Sequence, residues 1–356
     1  MRSILHRPRR AALAVVATVA LALPALSVGV ASHASAASEA VTKVLAFDAA
    51  GAKPSKTYRI AYLTECIQNP YCQTRLKGLE DAAAKYGFEF KIFDANFNPA
   101  AQLKHVQNAV VEGFDGYLFA PAAAAPGCNM WNQQLKATGK PVVSLDLPMC
   151  RDENYTEGLA ATVTMQRQGY YNAHVDHAFA SCTKPCEAMA VGGFVGSDLF
   201  NFWENAIKQG LFKFPNVKMV SDQPGNFDPR VALEKTQNAL LANPNIEVVL
   251  SSWDDMTRGV EQAIAAAGKQ PGKDIRIYSI GGTKDGVAKV KAGVYNETTM
   301  LLPWEESYYA AVALLMALEG QPVNAYVGEA EMPRVTDGPG TIIITKENAD
   351  KVQPNY

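Results

Sequence analysis

The chain has 356 residues, 48% hydrophobic and 19% charged, with a formal net charge of −2, which is ample material for a core and, by length, for about two domains. Without its first 36 residues the chain holds 29 basic and 35 acidic residues, a balance of −6. No basic stripe remains, which argues against nucleic acid and anionic membrane surfaces as partners.

The amino end holds Arg2, Arg7, Arg9 and Arg10 and no acid, then an apolar run over 11–23, a break at Pro24, and Ala34-Ser35-Ala36. This is the layout of a signal peptide spanning residues 1–36. The run is short for a membrane span of about 20 residues. Arg9-Arg10 is only a weak match to a twin-arginine signal. No cysteine sits at the cleavage site to carry a lipid, so the predicted location is the periplasm or cell-surface space outside the cytoplasmic membrane. Residues 37–56 are small, polar and Gly/Pro-containing, and read as a leader.

From residue 59 onward short apolar runs alternate with longer amphipathic stretches. The runs are 60–63, 90–93, 116–119, 142–145, 189–194, 217–220, 248–251, 275–280 and 341–344, with helical patterns such as 76–86, 101–112, 231–242 and 257–267 between them. Strands this continuously apolar, separated by helices, predict an α/β fold with parallel sheets covered on both faces. An internal repeat sharpens the reading. Asn96-Phe97-Asn98-Pro99 returns as Asn226-Phe227-Asp228-Pro229, and Leu103, Gln107, Asn108 and Ala109 return as Leu233, Gln237, Asn238 and Ala239. Each copy is a turn, a helix begun by proline and an apolar strand. One copy per half predicts two similar doubly wound lobes.

In such sheets ligands sit beyond the carboxyl ends of the strands. The predicted cleft is therefore lined by 64–71, 94–97, 120–122, 146–147, 197–203, 226–227, 252–255, 281–283 and 301–305. The six cysteines are even in number, as expected of an exported chain. The sequence-local pairing is Cys66 with Cys72, Cys128 with Cys150, and Cys182 with Cys186. A metal pair is the competing reading for Cys182 and Cys186, but no second Cys/His pair with zinc spacing accompanies it. No cofactor and no metal is expected.

An ordered set of landmarks carries a family resemblance. Ile60-Ala61-Tyr62-Leu63 precedes Asn69-Pro70-Tyr71 and Lys85-Tyr86-Gly87; Asp94 and Asn98-Pro99 lead to Gln102 and Val106-Gln107. Gly116-Tyr117-Leu118 leads to Pro121, then Lys140-Pro141-Val142-Val143 to Asp146, Asp254-Asp255-Met256, Ile280-Gly281-Gly282-Thr283 and Leu302-Pro303. Over about residues 57–345 the chain resembles the type I periplasmic binding proteins of sugar ABC transporters, nearest the ribose-binding branch. The resemblance implies two lobes joined by a three-crossing hinge: 57–164 with 302–330, and 165–301 with 331–356. It implies closure around one small solute, delivery to an ABC transporter permease, and a monomer.

Residue by residue, the family's contact positions fall on Asn69, Tyr71, Asp146, Phe227 and Trp253 with Asp254. Other positions depart from the pattern. Cys72 stands where a second aromatic is usual, Leu147 where an arginine follows the aspartate, Gly281 near a later aspartate, Leu301 near a glutamine, and Ile207 near an arginine. Aromatics persist (Tyr71, Trp203, Phe227, Trp253, Trp304) while polar groups thin out; Glu65, Asp146, Asn201, Glu204 and Asp254 are candidates to compensate. A sugar or sugar-like polyol is the leading ligand class, and a less polar or aromatic solute the alternative. Each site also has a plainer reading. Phe227 can pack its own turn as its repeat-mate Phe97 does, Trp203 and Trp304 can be hinge packing, and Asn69 can be a turn residue before Pro70.

Enzymatic signatures are lacking: there is no Walker loop, no G-x-S-x-G elbow and no H-E-x-x-H. His174 and His177 fit a solvated helix face, or a surface metal site, better than a catalytic triad. A transcription regulator of the same core would carry a DNA-binding helix-turn-helix where the signal peptide stands. A sensor feeding a receptor shares every feature of a transport protein.

Overall fold

The computed structural model describes residues 28–356, with side chains from residue 39 onward. The basic start and apolar run of the signal peptide lie outside the described residues, and Ala34-Ser35-Ala36 falls within helical backbone. Residues 37–56 depart from the leader reading. They complete a helix, α1 (Val28–Ala50), that buries Ala40, Val41 and Val44 in a core cluster. Alanine is the strongest helix former, and Val41, Val44 and Leu45 share one helical face. Asp48 fastens its end, accepting bonds from Lys85 Nζ at 2.6 Å, Tyr86 OH at 2.7 Å and Tyr308 OH at 2.8 Å.

Strands and helices then alternate as the apolar runs require: β1 (Arg59–Thr64), α2 (Pro70–Tyr86), β2 (Glu89–Asp94), α3 (Pro99–Glu112), β3 (Gly116–Phe119), α4 (Ala124–Met130), β4 (Val142–Leu145) and β5 (Ala161–Thr164). The second half continues with α5 (Gln168–Ala180), β6 (Cys186–Gly192), α6 (Asp198–Lys213), β7 (Val217–Pro224), α7 (Pro229–Ala242), β8 (Ile246–Ser251), α8 (Asp254–Ala266), β9 (Arg276–Gly281), α9 (Lys284–Lys291) and β10 (Glu297–Met300). The end of the chain contributes α10 (Pro303–Leu318), β11 (Ala325–Gly328), α11 (Pro333–Thr336) and β12 (Ile343–Ile344).

Two six-stranded sheets result, ordered β2-β1-β3-β4-β5-β11 and β7-β6-β8-β9-β10-β12. The same winding occurs twice, as the repeat implied. Every pairing is parallel except β10 with β12. The chain passes between the sheets after β5, after β10 and after β11, so three crossings join the lobes. The repeated turns match in detail. Asn96 and Phe97 have φ of 46° and 57°, and Asn226 and Phe227 have 55° and 53°. Asn98 Oδ1 caps α3 at Ala100 N, and Asp228 Oδ1 caps α7 at Arg230 N.

Three strands escaped the sequence reading: β5 (ATVT) and β10 (ETTM), which are half or more polar, and the short β11 (AYVG). The run 189–194 also ends early, since β6 stops at Gly192. All three cysteine pairs are bonded, with Cα separations of 5.9, 4.8 and 5.9 Å for Cys66–Cys72, Cys128–Cys150 and Cys182–Cys186. Of the two histidines only His177 is on a solvated face. His174 is fully buried with Nδ1 3.0 Å from Glu297 Oε1 of β10, and His177 Nδ1 bonds the other oxygen of the same carboxylate.

Candidate functional site

A cavity of about 320 Å³ opens beyond the carboxyl ends of both sheets and is lined from both lobes. Residues after β1, β3 and β4 line one side, and residues after β6, β8 and β10 the other. Away from the hinge, Ala124 N, at the start of α4, donates across the gap to Asp198 Oδ2, the first residue of α6, at 2.7 Å. Ala123 offers α4 no side-chain cap, so an orphan N–H of one lobe is satisfied by a carboxylate of the other.

The carboxyl-lobe wall is aromatic. Phe227 lies between Phe194 and Trp253, with ring centroids 5.4 and 6.0 Å away and both contacts edge-on. Its left-handed backbone is unusual for a bulky residue, and its ring fills the space that a Cβ on Gly193 would need, 2.3 Å from Phe227 Cζ. Phe97 occupies the matching place in the amino lobe, 51% exposed at the rim. Neither phenylalanine simply packs its own turn. Trp203 is fully buried beside the cavity, stacked on the His174 ring at 5.7 Å.

The amino-lobe floor is ionic. Arg75, fully buried on α2, donates from Nε to Tyr62 OH at 3.0 Å, from Nη2 to Thr64 Oγ1 at 3.0 Å, and from Nη2 to Glu65 Oε1. Its Nη1 lies 3.5 Å from Asp146 Oδ1 and 3.8 Å from Glu306 Oε2. Tyr71 OH donates to Glu306 Oε2 at 2.6 Å, and Gln166 Nε2 to Asp146 Oδ1 at 2.8 Å. Burial, then the charge of Glu65, holds the Asp146 carboxyl well above the usual range. Burial raises Glu306 to about 7, against the pull of Arg75 and Tyr71, and burial with the charge of Glu306 raises Glu329. One guanidinium cannot neutralise this many carboxylates, so protons stay on some of them.

Of the positions singled out by sequence, the cavity gathers Asn69, Tyr71, Asp146, Leu147, Trp203, Phe227, Trp253 and Leu301. Asn69 also caps α2, accepting from Cys72 N at 2.8 Å, and the Cys66–Cys72 disulfide lies in the lining beside it. Three positions fall elsewhere. Asp254 turns inward: Oδ1 accepts from Ser279 and Thr298 hydroxyls at 2.6 and 2.8 Å, and Oδ2 from Thr283 N and Oγ1 at 3.0 and 2.9 Å. Gly281 serves that packing, since a Cβ there would stand 2.6 Å from Asp254 Oδ2. Trp304 stacks on Tyr308 at 4.4 Å and donates to Asp81 Oδ2 at 2.9 Å, beside a separate cleft near the hinge. Glu204 and Asn201 are also absent from the lining. Sequence reasoning missed Arg75, Gln166 and Glu306. Arg75 had a readable signal, an ionic residue in the stripe Cys72, Arg75, Gly78, Leu79, Ala82 that faces the core.

Comparison with known proteins places this geometry. The family described as "Periplasmic binding protein domain" matches residues 60–322. The chain is 25% identical to the ribose import binding protein RbsB of Escherichia coli (strain K12) over 269 residues, 75% of this chain and 86% of the relative. It is 28% identical to the galactofuranose-binding protein YtfQ of the same organism over 226 residues, 62% of this chain and 70% of that one. In fold it is similar to a Caulobacter myo-inositol binding protein, with a TM-score of 0.72, 20% identity, and coverage of 85% of this chain and 98% of the other.

Proposed function

Because the chain belongs to the periplasmic binding protein family, we propose that it captures a sugar or sugar-like polyol outside the cytoplasmic membrane and passes it to the permease of an ABC importer. It is a binding protein and not an enzyme, as are the proteins it resembles. The observation that carries the reading is the cavity walled by both lobes and bridged by Asp198 and Ala124. In this reading residues 57–164 with 302–330 move as one body and 165–301 with 331–356 as the other. Ligand enters the open form, and differential affinity for the closed form drives closure. The permease reads the closed pair of lobes, and the protein works as a monomer.

Asn69, Tyr71 and Asp146 present polar groups to the solute, while Phe227 and Trp253 present faces to its C–H surface. Leu147 and Leu301 favour a second reading, a solute less polar than a fully hydroxylated pyranose. A thermal-shift screen over sugars, polyols and aromatic acids tests both, because a ligand of the native state raises its melting temperature. Small-angle scattering with the hit should show compaction. An unchanged radius of gyration with ligand bound counts against hinge closure.

A further inference from the structure

No lysine, arginine or histidine lines the cavity among the described residues, whereas Glu65, Asp146 and Asp198 do. Asp198 is occupied across the cleft by Ala124 N, which leaves Glu65 and Asp146. The groups packed against these two are Arg75 and Tyr71 of α2, Glu306 of α10, Glu329 after β11, and Gln166 and Tyr171 at the start of the second lobe. Glu305, nearby, is neutralised by Arg334. Four buried carboxyl groups therefore face a single guanidinium. Gln166 and Arg75 both address Oδ1 of Asp146, so Oδ2 is the oxygen left for the cavity.

The opposite wall supplies a second, independent observation. Ser252, 8% exposed, and Trp203, 0% exposed, both line the cavity, and each keeps a polar atom with no protein partner, Ser252 Oγ and Trp203 Nε1. A buried donor or acceptor left unpaired is costly, so these atoms point to a ligand polar on both sides. Aromatic faces beside carboxylates also suit a cation.

From these observations we propose that the solute carries a free protonated amine, as an amino sugar does, seated at Asp146 and Glu65 with its apolar face against Phe227 and Trp253. This rests on the sugar-binding reading above and narrows it. Binding exchanges one positive group for another. The ammonium takes the place of a proton shared among the buried carboxyl groups around Asp146, so entry of the amine releases a proton to solvent. A solute with a carboxylate or phosphate is excluded, since nothing cationic reaches the cavity to receive it.

Titration calorimetry of the exported chain against matched sets tests the proposal: D-glucosamine, D-galactosamine and D-mannosamine, their N-acetyl forms, the parent hexoses and myo-inositol. At least one free amine should bind at least about tenfold tighter than its acetylated and hydroxyl counterparts, the scale of a charge-assisted contact. Its binding should release up to about one proton, read from buffers of different ionisation enthalpy. Asp146→Asn should abolish that release. Leu147→Arg, which puts a cation into the cavity lining without replacing a member of the buried cluster, should weaken the amine at least about tenfold more than it weakens neutral sugars. Tighter binding of a neutral sugar or inositol than of every amine overturns this inference and leaves the sugar-binding reading intact. Silence towards every compound overturns both.

Discussion

Replacing Asp198 with alanine should shift the ligand-free protein toward its open form. The bond from Ala124 N to Asp198 Oδ2, 2.7 Å long, joins α4 of one lobe to α6 of the other. It can form only when the lobes are close. Asp198 acts as an N-cap for a helix whose own preceding residue, Ala123, has no acceptor. A cap is worth about 1 kcal/mol and the attraction of a carboxylate to a helix start about 0.3–1 kcal/mol. Both groups are partly exposed, so the lower figure, about 1 kcal/mol, is appropriate, and the closed-to-open ratio should fall roughly fivefold. Spin labels on the two lobes, read by pulsed dipolar spectroscopy without ligand, measure that ratio. Asp198→Asn keeps an acceptor and should fall between wild type and alanine. Asp198 also begins α6, so global stability must be measured alongside to separate closure from folding. An Asp198→Ala protein with the wild-type distance distribution and unchanged ligand affinity would refute the reasoning.

Arg75→Met should cost about 3–5 kcal/mol at neutral pH, because it strips the one cation from buried Glu65, Asp146 and Glu306. Denaturant midpoints should show it, with recovery as acid protonates the cluster; an unchanged midpoint at pH 7 contradicts the ion-pair account. Replacing Cys128 and Cys150 together with serine opens a bridge between residues 22 apart in sequence, with an expected loss of about 3 kcal/mol in a non-reducing melt. A shift near zero would show that this link does not constrain the unfolded chain. For His177, hydrogen bonding to Glu297 raises its pKa above 6.5, while Glu297, despite burial, is held below 4.5 by His174 and His177. The raised base stabilises below pH 6.5 and loses that contribution as pH climbs through its folded value. The lowered acid stabilises above pH 4.5 and loses its share as pH falls. The advantage of wild type over His177→Gln should therefore peak between about pH 4.5 and 6.5 and fade toward pH 8; a gap that widens with pH reverses the sign.

The two-lobed winding was legible because most of its strands are buried on both faces and so read as plain apolar runs. Of the strands that escaped, β10 obeys the opposite rule. β10 buries Glu297, Thr298 and Thr299 completely, and each is satisfied from the side: Glu297 by His174 and His177, Thr298 by Asp254, Thr299 by His174. A buried polar strand is tolerated once every group has a partner, but those partners come from α5 and α8, far away in sequence. No local pattern announces them. The leader was misread for a related reason: composition alone does not separate a loose polar segment from an alanine-rich helix whose valines meet β11 and α10 only after folding.

The site shows the same limit at finer scale. Positions fixed by the end of a strand (Asp146, Leu147, Phe227, Trp253) fell where the sequence predicted, because the sheet carries the residues at its carboxyl edge to the cavity. Direction was another matter. Asp254 lies just past a strand too, yet Gly281 and Gly286 leave room on its inner side, and four donors draw its carboxylate away from the cavity. The missing arginine beside Asp146 looked like a simple loss of polarity. The fold instead brings Arg75 from the helix after β1 to within 3.5 Å of that carboxylate, from behind and not from the cavity side. A positive charge thus lies beside Asp146 but outside the cavity lining. A floor that keeps its guanidinium behind its carboxylates, with Leu147 in front, turns no cation toward the cavity. That inversion comes from one helix position and one leucine, and the exchange Leu147→Arg measures it directly.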